Sequence, residues 1–327
     1  PKLISEGFRG KIYSTHPTKG IALPMLEDTA GILGKNTELG LDKIYTPENI
    51  KLIMSLWQGF NYHEKINITP DVEVTFFDAG HILGSAMTLF TWNGKKILFT
   101  GDLGNSPSHL RPDTEKVTGV DYLIMESVYG DRNHESRDDR RRLLAEIIED
   151  NHKRNGTLVI PTFSLERSQE LLFELDALLE GHRIPIMPIF FDSPLAIRLT
   201  DVFKQYKEYL NEAAQKAISP GKYLFEFPGL QNTLKSEESK LINSVPNPKI
   251  VIAGSGMSTG GRVVHHERHY LPDPNNTLLL PGYQSVGTPG RMIQEGLHTV
   301  RITGEDVIVR AHIATISGYS GHKASDG

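Results

Sequence analysis

Three uninterrupted apolar runs constrain this chain more than any other feature. "TLVIPTF" (157–163), "KIVIAG" (249–254) and "TLLLPG" (277–282) lack the alternation of a half-exposed strand, so each reads as a strand buried on both faces of a sheet. Helical stripes lie between them. Leu143, Leu144, Ile147 and Ile148 place an apolar face on a helix that ends near Gly156, and Leu171, Leu172, Leu175, Leu178 and Leu179 do so on the next. Residues 187–191 followed by 195–210 repeat the unit. Such alternation implies an α/β architecture, a mostly parallel sheet flanked by helices.

The first 130 residues have a different texture, mostly short strands. These are expected at 11–18, 73–77, 86–92, 95–101 and 121–126, with "WNG" (92–94) turning the third into the fourth. One helix is expected near 47–58, where Thr46 and Pro47 supply a cap and a first-turn proline. A last strand, 306–320, returns to the alternating style of the first part. The opening "PKLISEGFRG" reads as the middle of a helix followed by a turn, a piece of something longer.

At 327 residues the chain is long enough for two domains, and 38% hydrophobic with 23% charged residues is ordinary for a soluble globular protein. No run approaches a membrane span, and no basic-then-apolar amino terminus suggests export. The chain has no cysteine, so any transition metal must be held by His, Asp or Glu; this usage also fits a cytoplasmic location. A net charge of −5 argues against an overall basic coat while leaving room for a local basic groove.

Three successive strand ends carry chemistry. His81 sits in "DAGHILGSA" (78–86), where glycines let the backbone crowd in; Asp102 follows a strand in "FTGDLG"; Glu126 ends the next strand in "LIMESVYG". One such residue alone is a turn residue, but three in succession point to a single sheet edge bearing a site.

With these residues the sequence resembles the metallo-β-lactamase superfamily, and within it the β-CASP branch of nucleic-acid-processing nucleases. "DAGHILGSA" resembles the motif whose His is a zinc ligand, and "FTGDLG" the motif whose Asp bridges two zinc ions. "MESVYG" resembles the first β-CASP motif and "SGYSGH" (317–322) the second, while "PTFSLERSQELL", "FDSPLA", "AGSGMSTGGR" and "PGYQSVGTPGR" resemble the inner loops of the cassette. The resemblance implies a metallo-β-lactamase αββα sandwich over 1–130 with a return at 306–327, and an inserted β-CASP domain at 131–305. It implies zinc, two ions in the intact protein, with His81 and Asp102 as ligands. Glu126 would orient a metal-bound imidazole, and His322 would stand near the scissile phosphate.

The implied activity is zinc-dependent phosphodiester hydrolysis of single-stranded RNA, with DNA as a second candidate. Two zinc ions about 3.5–4 Å apart acidify a bridging water and clamp the attacking and leaving oxygens. The loop "GSGMSTGG" follows a strand, so its amides can form an anion-binding concavity to which Ser255, Ser258 and Thr259 add hydroxyls. Arg167, Arg262 and Arg291 are candidate phosphate contacts. For Arg167 a helix-surface salt bridge is an equal alternative. "RDDRRR" (137–142) is expected to be a solvated helix face, and His265, His266 and His269 to be helix surface or packing rather than a metal site.

The departures are as specific as the matches. His-x-His-x-Asp-His and the Asp of the first motif are absent, as is the last His motif, and Ala324 stands where the family usually has Asp. These absences imply a longer polypeptide; the chain as given is expected to bind zinc weakly and to be inactive, unless His16 or His312 completes the site. They also imply an unpaired sheet edge, so that the fragment is expected to be poorly soluble or paired with another chain, a homodimer included. A catalytically inactive RNA-processing scaffold and a small-molecule metallohydrolase remain as rival readings.

Overall fold

The computed structural model describes residues 1–35, 37–128, 137–218, 223–316, 319 and 323. Its first part runs Lys2–Ser5 (α1), Ile12–Thr15 (β1), His16–Leu33 (α2), Pro47–Leu56 (α3), Trp57–Phe60 (β2), Lys65–Thr69 (β3), Val72–Asp78 (β4), Ala86–Trp92 (β5), Lys95–Phe99 (β6) and Tyr122–Ile124 (β7). Strands β3 to β7 form one sheet in sequence order, antiparallel except for the parallel β6–β7 pair. The β5–β6 hairpin turns at Asn93 and Gly94, both at positive φ, as the tight hairpin connection requires. With this order, the carboxyl ends of β4, β6 and β7 meet at one edge. Those ends carry His81, Asp102 and Glu126.

One element departs from the expectation of a strand over 11–18. After Thr15 the chain enters the eighteen-residue helix α2. The Thr15 hydroxyl accepts the Thr18 N–H at 3.3 Å, and Pro17 sits in the first turn. Thr-His-Pro is thus a helix start, the same device as Thr46-Pro47 before α3. Pro24 inside the pattern hides the helix, because a mid-helix proline normally argues against one.

The second part continues with Arg137–Lys153 (α4), Thr157–Pro161 (β8), Arg167–Glu180 (α5), Ile189–Asp192 (β9), Pro194–Gln205 (α6), Glu212–Ala217 (α7), Leu230–Asn232 (β10), Ser236–Leu241 (α8), Lys249–Ala253 (β11), Val263–Tyr270 (α9), Thr277–Pro281 (β12), Pro289–Gln294 (α10), Thr299–Ile302 (β13), Glu305–Ile308 (β14) and His312–Ile316 (β15). Six strands form an all-parallel sheet in the order β10-β9-β11-β8-β12-β15. Every residue of β8, β9, β11 and β12 is buried. Successive residues feed opposite layers. Leu158 and Ile160 pack with Leu144, Ile148, Leu171 and Phe203 on one face, while Val159 packs with Val263, Val264 and Ile293 on the other. The single strand expected at 306–320 is divided. Thr303 and Gly304, both at positive φ, turn β13 into β14, and β15 then pairs with β12 in the parallel sheet.

The two parts share core. Leu83, two residues after His81, is 1% exposed and packs in the same cluster as Leu171, Leu175 and Leu110. Gly104 lies directly against the His81 turn: its N–H donates to Ala79 C=O at 2.8 Å, and a Cβ there would fall 2.0 Å from Gly80 C=O. We expect Gly104→Ala to lower stability by about 3 kcal/mol or more, because rigid backbone cannot yield to it. Gly31→Ala, at an exposed position of α2 with nothing within 4 Å, should raise stability by roughly 0.5–1 kcal/mol. Urea unfolding midpoints of the two variants check both signs.

Candidate active site

The turn that carries His81 is held through nearly every backbone polar group. Asp78 Oδ1 accepts from Gly80 N–H (2.8 Å), and Ser85 Oγ accepts from the N–H groups of His81 (3.1 Å) and Ile82 (3.2 Å). The Thr15 and Thr18 hydroxyls donate to Gly84 C=O at 2.7 and 2.8 Å, and Glu166 Oε2 accepts Leu83 N–H at 2.9 Å. Asp78 is itself buried and paired with the Arg111 guanidinium at 3.2 Å. The imidazole is thereby delivered to a fixed place, its Nε2 3.9 Å from Asp102 Oδ2. The Asp102 side chain is largely open to solvent, whereas that of His81 is mostly enclosed.

Glu126 stands behind this pair. Its carboxylate accepts the N–H of Leu103, the residue after Asp102, and its own N–H donates to Thr100 Oγ1 at 3.3 Å. The Asp102 backbone is thus fixed from the neighbouring strand end. Lys323 N–H donates to the Leu103 carbonyl at 2.9 Å, which brings Lys323 to the same edge. His322 and Ala324 lie outside the described residues.

A narrow cleft opens beside His81, lined by Asn105, Ser108, Arg140, Glu166 and Glu170. Its far wall is a buried ionic layer. Glu174 lies 2.7 Å from both His109 Nε2 and Arg140 Nη2 and accepts the Tyr319 hydroxyl, and Arg140 lies 4.4 Å above the Tyr319 ring. Burial pushes the Glu174 carboxyl up, but the hydrogen bond from His109 and the charge of Arg140 outweigh it and hold it at about 2. Glu166, with less compensation, is pushed by burial up to about 8. Arg167 is largely enclosed rather than freely exposed, and its Nη1 lies 2.5 Å from Glu170 Oε2.

The glycine loops lie side by side beyond β11 and β12. Gln284 Nε2 donates to Gly256 C=O at 3.0 Å, and Gly256 packs against Phe163 at the end of β8. Their polar side chains divide by direction. Ser255 and Thr259 pair at 3.1 Å in an exposed position, whereas Ser258 turns inward, 1% exposed, and donates to Glu267 Oε1 at 2.5 Å. Arg262 Nη1 donates to Asp192 Oδ1 (2.6 Å) and Thr233 C=O (3.0 Å), and its Nη2 to Leu234 C=O (2.7 Å). The geometry of Ser258 and Arg262 is that of loop struts. Arg291 is more open, its Nε bonded to Glu295 at 2.7 Å.

His266 is buried against Asp192 at 2.7 Å, so one member of the His265, His266, His269 group is a packing residue. "RDDRRR" divides as well. Arg142 is exposed and pairs with Glu146 and Asp139, but Arg140 is 5% exposed. Its position was readable, since Arg140 continues the i, i+4 stripe of Leu144 and Ile148. Glu166, Glu170, Glu174 and Tyr319 had no comparable signal: a buried acid in an amphipathic helix looks like a surface residue until its partner is known.

The metal reading can be tested on the donors. One neutral nitrogen and one carboxylate 3.9 Å apart suit a shared divalent ion bonded at about 2.0–2.2 Å to each, given a small inward shift. The residues fit in type and spacing, and His81 and Asp102 would be two of the ligands. Among the described residues no group of three or more such side chains is gathered. His16 packs its ring against Gly59 on β2, and His312 begins β15, at the sheet edge opposite the loops.

A Beta-Casp domain model matches residues 168–293. Over 326 residues the chain is 36% identical to Ribonuclease TTHA0252 of Thermus thermophilus, spanning 100% of this chain and 73% of that protein. It is 33% identical over 315 residues to the RNase J-like protein of Methanocaldococcus jannaschii, with 95% and 70% covered. It is 33% identical over 326 residues to Transcription termination factor FttA of Thermococcus kodakarensis, where it spans 96% of itself and 50% of the relative. The mixed α/β fold, with its parallel sheet flanked by helices, is that of a metallo-β-lactamase domain carrying a β-CASP insertion. The chain belongs to the β-CASP family of metallo-β-lactamase nucleases.

The ionic layer sets an acid limb on stability. The folded Glu174 carboxyl titrates near 2, below its ordinary 4.5, so its contribution is complete above about 4.5 and is lost as pH falls toward 2. Glu174→Gln should be less stable than wild type by about 3 kcal/mol at pH 7, since Arg140 loses its buried counter-charge. The gap should close between pH 4.5 and 2. Urea titrations at pH 7, 5, 4 and 3 measure it, and a gap that does not change with pH would remove Glu174 as the cause.

Proposed function

We propose that the complete protein hydrolyses phosphodiester bonds of single-stranded RNA, with zinc held in part by His81 and Asp102. The observation that carries the reading is the approach of His81 to Asp102 at 3.9 Å, at a sheet edge that opens on a cleft walled by the β-CASP unit. A small substrate needs no such second wall. Relatives named ribonuclease, RNase J-like protein and termination factor favour RNA over DNA.

Bound zinc would supply an acidified water and neutralise charge developing on the phosphate. The chain's own groups divide the remaining work. His81 offers one neutral ring nitrogen, enclosed and fixed in direction by the pinned turn. Asp102 offers two solvent-facing oxygens on a backbone that Glu126 fixes through Leu103. The amides and hydroxyls of loop 254–262, with Ser255 and Thr259 outermost, would donate to phosphate oxygens. His322 is assigned to the scissile phosphate or the leaving ribose oxygen. The protein is proposed to work in the cytoplasm.

In the full-length protein, Asp102→Ala should lower kcat on single-stranded RNA at least about 100-fold, equivalent to about 2.7 kcal/mol, with the RNA Kd within about twofold of wild type. Cleavage at the wild-type rate would favour the scaffold reading. Arg291→Ala should weaken RNA binding and make the plot of log K against log salt shallower by roughly 0.7, the contribution of one phosphate on a single strand. Filter binding across a salt series checks it, and an unchanged slope removes Arg291 from the interface.

A further inference from the structure

The turn between β8 and α5 is built against the preference of its own central residue. Glu166 has φ 63° and ψ −56°, and Arg167 N–H donates back to Leu165 C=O at 2.8 Å, a γ-turn of the rare positive-φ kind. A non-glycine residue in this region is held there only when its surroundings over-determine it. Glu166 is 4% exposed, and helix α5 starts directly from it, Glu170 N–H donating to Glu166 C=O at 2.8 Å. A glycine would adopt this backbone without strain and would bury no carboxyl group.

What the carboxyl group does is visible. It crosses from the β-CASP unit to the other side of the cleft and accepts the Leu83 N–H at 2.9 Å. Other hydrogen bonds that pin this turn come from the first part of the chain, from Thr15, Thr18, Asp78, Ser85, Gly104 and Thr114. Glu166 is an anchor that reaches the turn from the parallel-sheet unit, and it lines the cleft with His81. The Leu83 side chain, buried in the core of that same unit, follows the same path.

We infer that Glu166 is a positioning residue, which through the Leu83 amide sets the His81 turn, and with it the His81 ring, in register with the β-CASP wall of the cleft. The inference rests on the nuclease reading for its catalytic consequence but not for the clamp itself. The strained turn is stabilised by the surrounding packing, and its product is a rigid link between the ring and the wall that faces it. A shift of about 1 Å in a group near the reacting atoms is enough to lower a rate by about two orders of magnitude.

The test uses full-length protein with Glu166→Gly, Glu166→Ala and Glu166→Gln. The glycine variant relieves the backbone, so it should fold; the glutamine variant keeps an acceptor oxygen at the same reach. Hydrogen exchange at Leu83 should quicken at least about tenfold in the glycine and alanine variants and stay within about threefold of wild type in the glutamine variant, while β8 and β11 keep their protection. RNA cleavage by the glycine variant should lose at least about tenfold in kcat with KM within about twofold, and glutamine should restore most of it. Unchanged exchange at Leu83, loss of protection throughout the chain, wild-type kcat in the glycine variant, or a glutamine variant as impaired as glycine would each overturn the inference. A wild-type protein that cleaves no RNA would overturn the nuclease reading instead, and exchange at Leu83 would then decide the clamp alone.

Discussion

The site depends on a backbone contact that only glycine allows. Gly104 N–H meets Ala79 C=O while Gly104 Cα presses on Gly80, so the loop after β6 is locked onto the loop after β4. His81 and Asp102 are one and two residues from that contact. Their 3.9 Å approach therefore follows from main-chain geometry more than from side-chain attraction, and it would persist whether or not either group is charged. Sheet order supplies the rest. Because β4 and β6 flank β5 and run in the same direction, their carboxyl ends coincide, and the parallel strand β7 brings Glu126 alongside.

The parts legible in the sequence are those where one physical signal dominates. Five-residue apolar runs gave the buried parallel strands, because nothing but burial on both faces accounts for them. Asn93-Gly94 gave a hairpin, because both residues must take positive φ. The gathering of His81, Asp102 and Glu126 was legible from the position of each at a strand end. Helix α2 was not, because Pro24 competes with the Thr15 cap and the tertiary contacts of Ile21 and Ala22 decide the outcome. The inward-turned roles of Ser258 and Arg262 were not legible for a related reason. Each is polar, neither partner is identifiable before the chain has folded, and composition says only that such residues are usually outside. Asp192, for example, joins Arg262, His266, Thr233 and Ser239, and only the parallel sheet brings them together.

The seam between the two units is ionic to an unusual degree. Arg111 and Arg140 are buried there and Arg167 is largely enclosed, with Asp78, Glu166, Glu170 and Glu174 around them. Such a layer adds little net stability over an apolar one, because each charge must be stripped of water. Its effect is on geometry. Three directional contacts cross the seam, His109 to Glu174, Arg111 to the Tyr209 carbonyl and Leu83 N–H to Glu166, so the units cannot slide on one another without leaving buried polar groups unmatched. An apolar seam would tolerate such sliding. A cleft whose two walls carry different parts of a catalytic arrangement gains from the ionic choice, since the distance between walls is then fixed by bonds of defined length.

The same layer bears on how an anionic substrate is held. Arg111, Arg140 and Arg167 are already committed to carboxylates within the protein. Arg262 likewise spends its donors on Asp192 and on the carbonyls of Thr233 and Leu234. A phosphate approaching any of them would have to displace a hydrogen-bonded partner from a buried position, which is less favourable than meeting an exposed donor. RNA affinity is therefore expected to come from the cleft rim and the glycine loops, through amides, the Ser255–Thr259 hydroxyl pair and the more open Arg291. The buried arginines shape the cleft without binding the chain in it. Under the proposed function, that division would let the walls stay rigid while contacts with the substrate remain weak enough, and salt-sensitive enough, for a strand to move through.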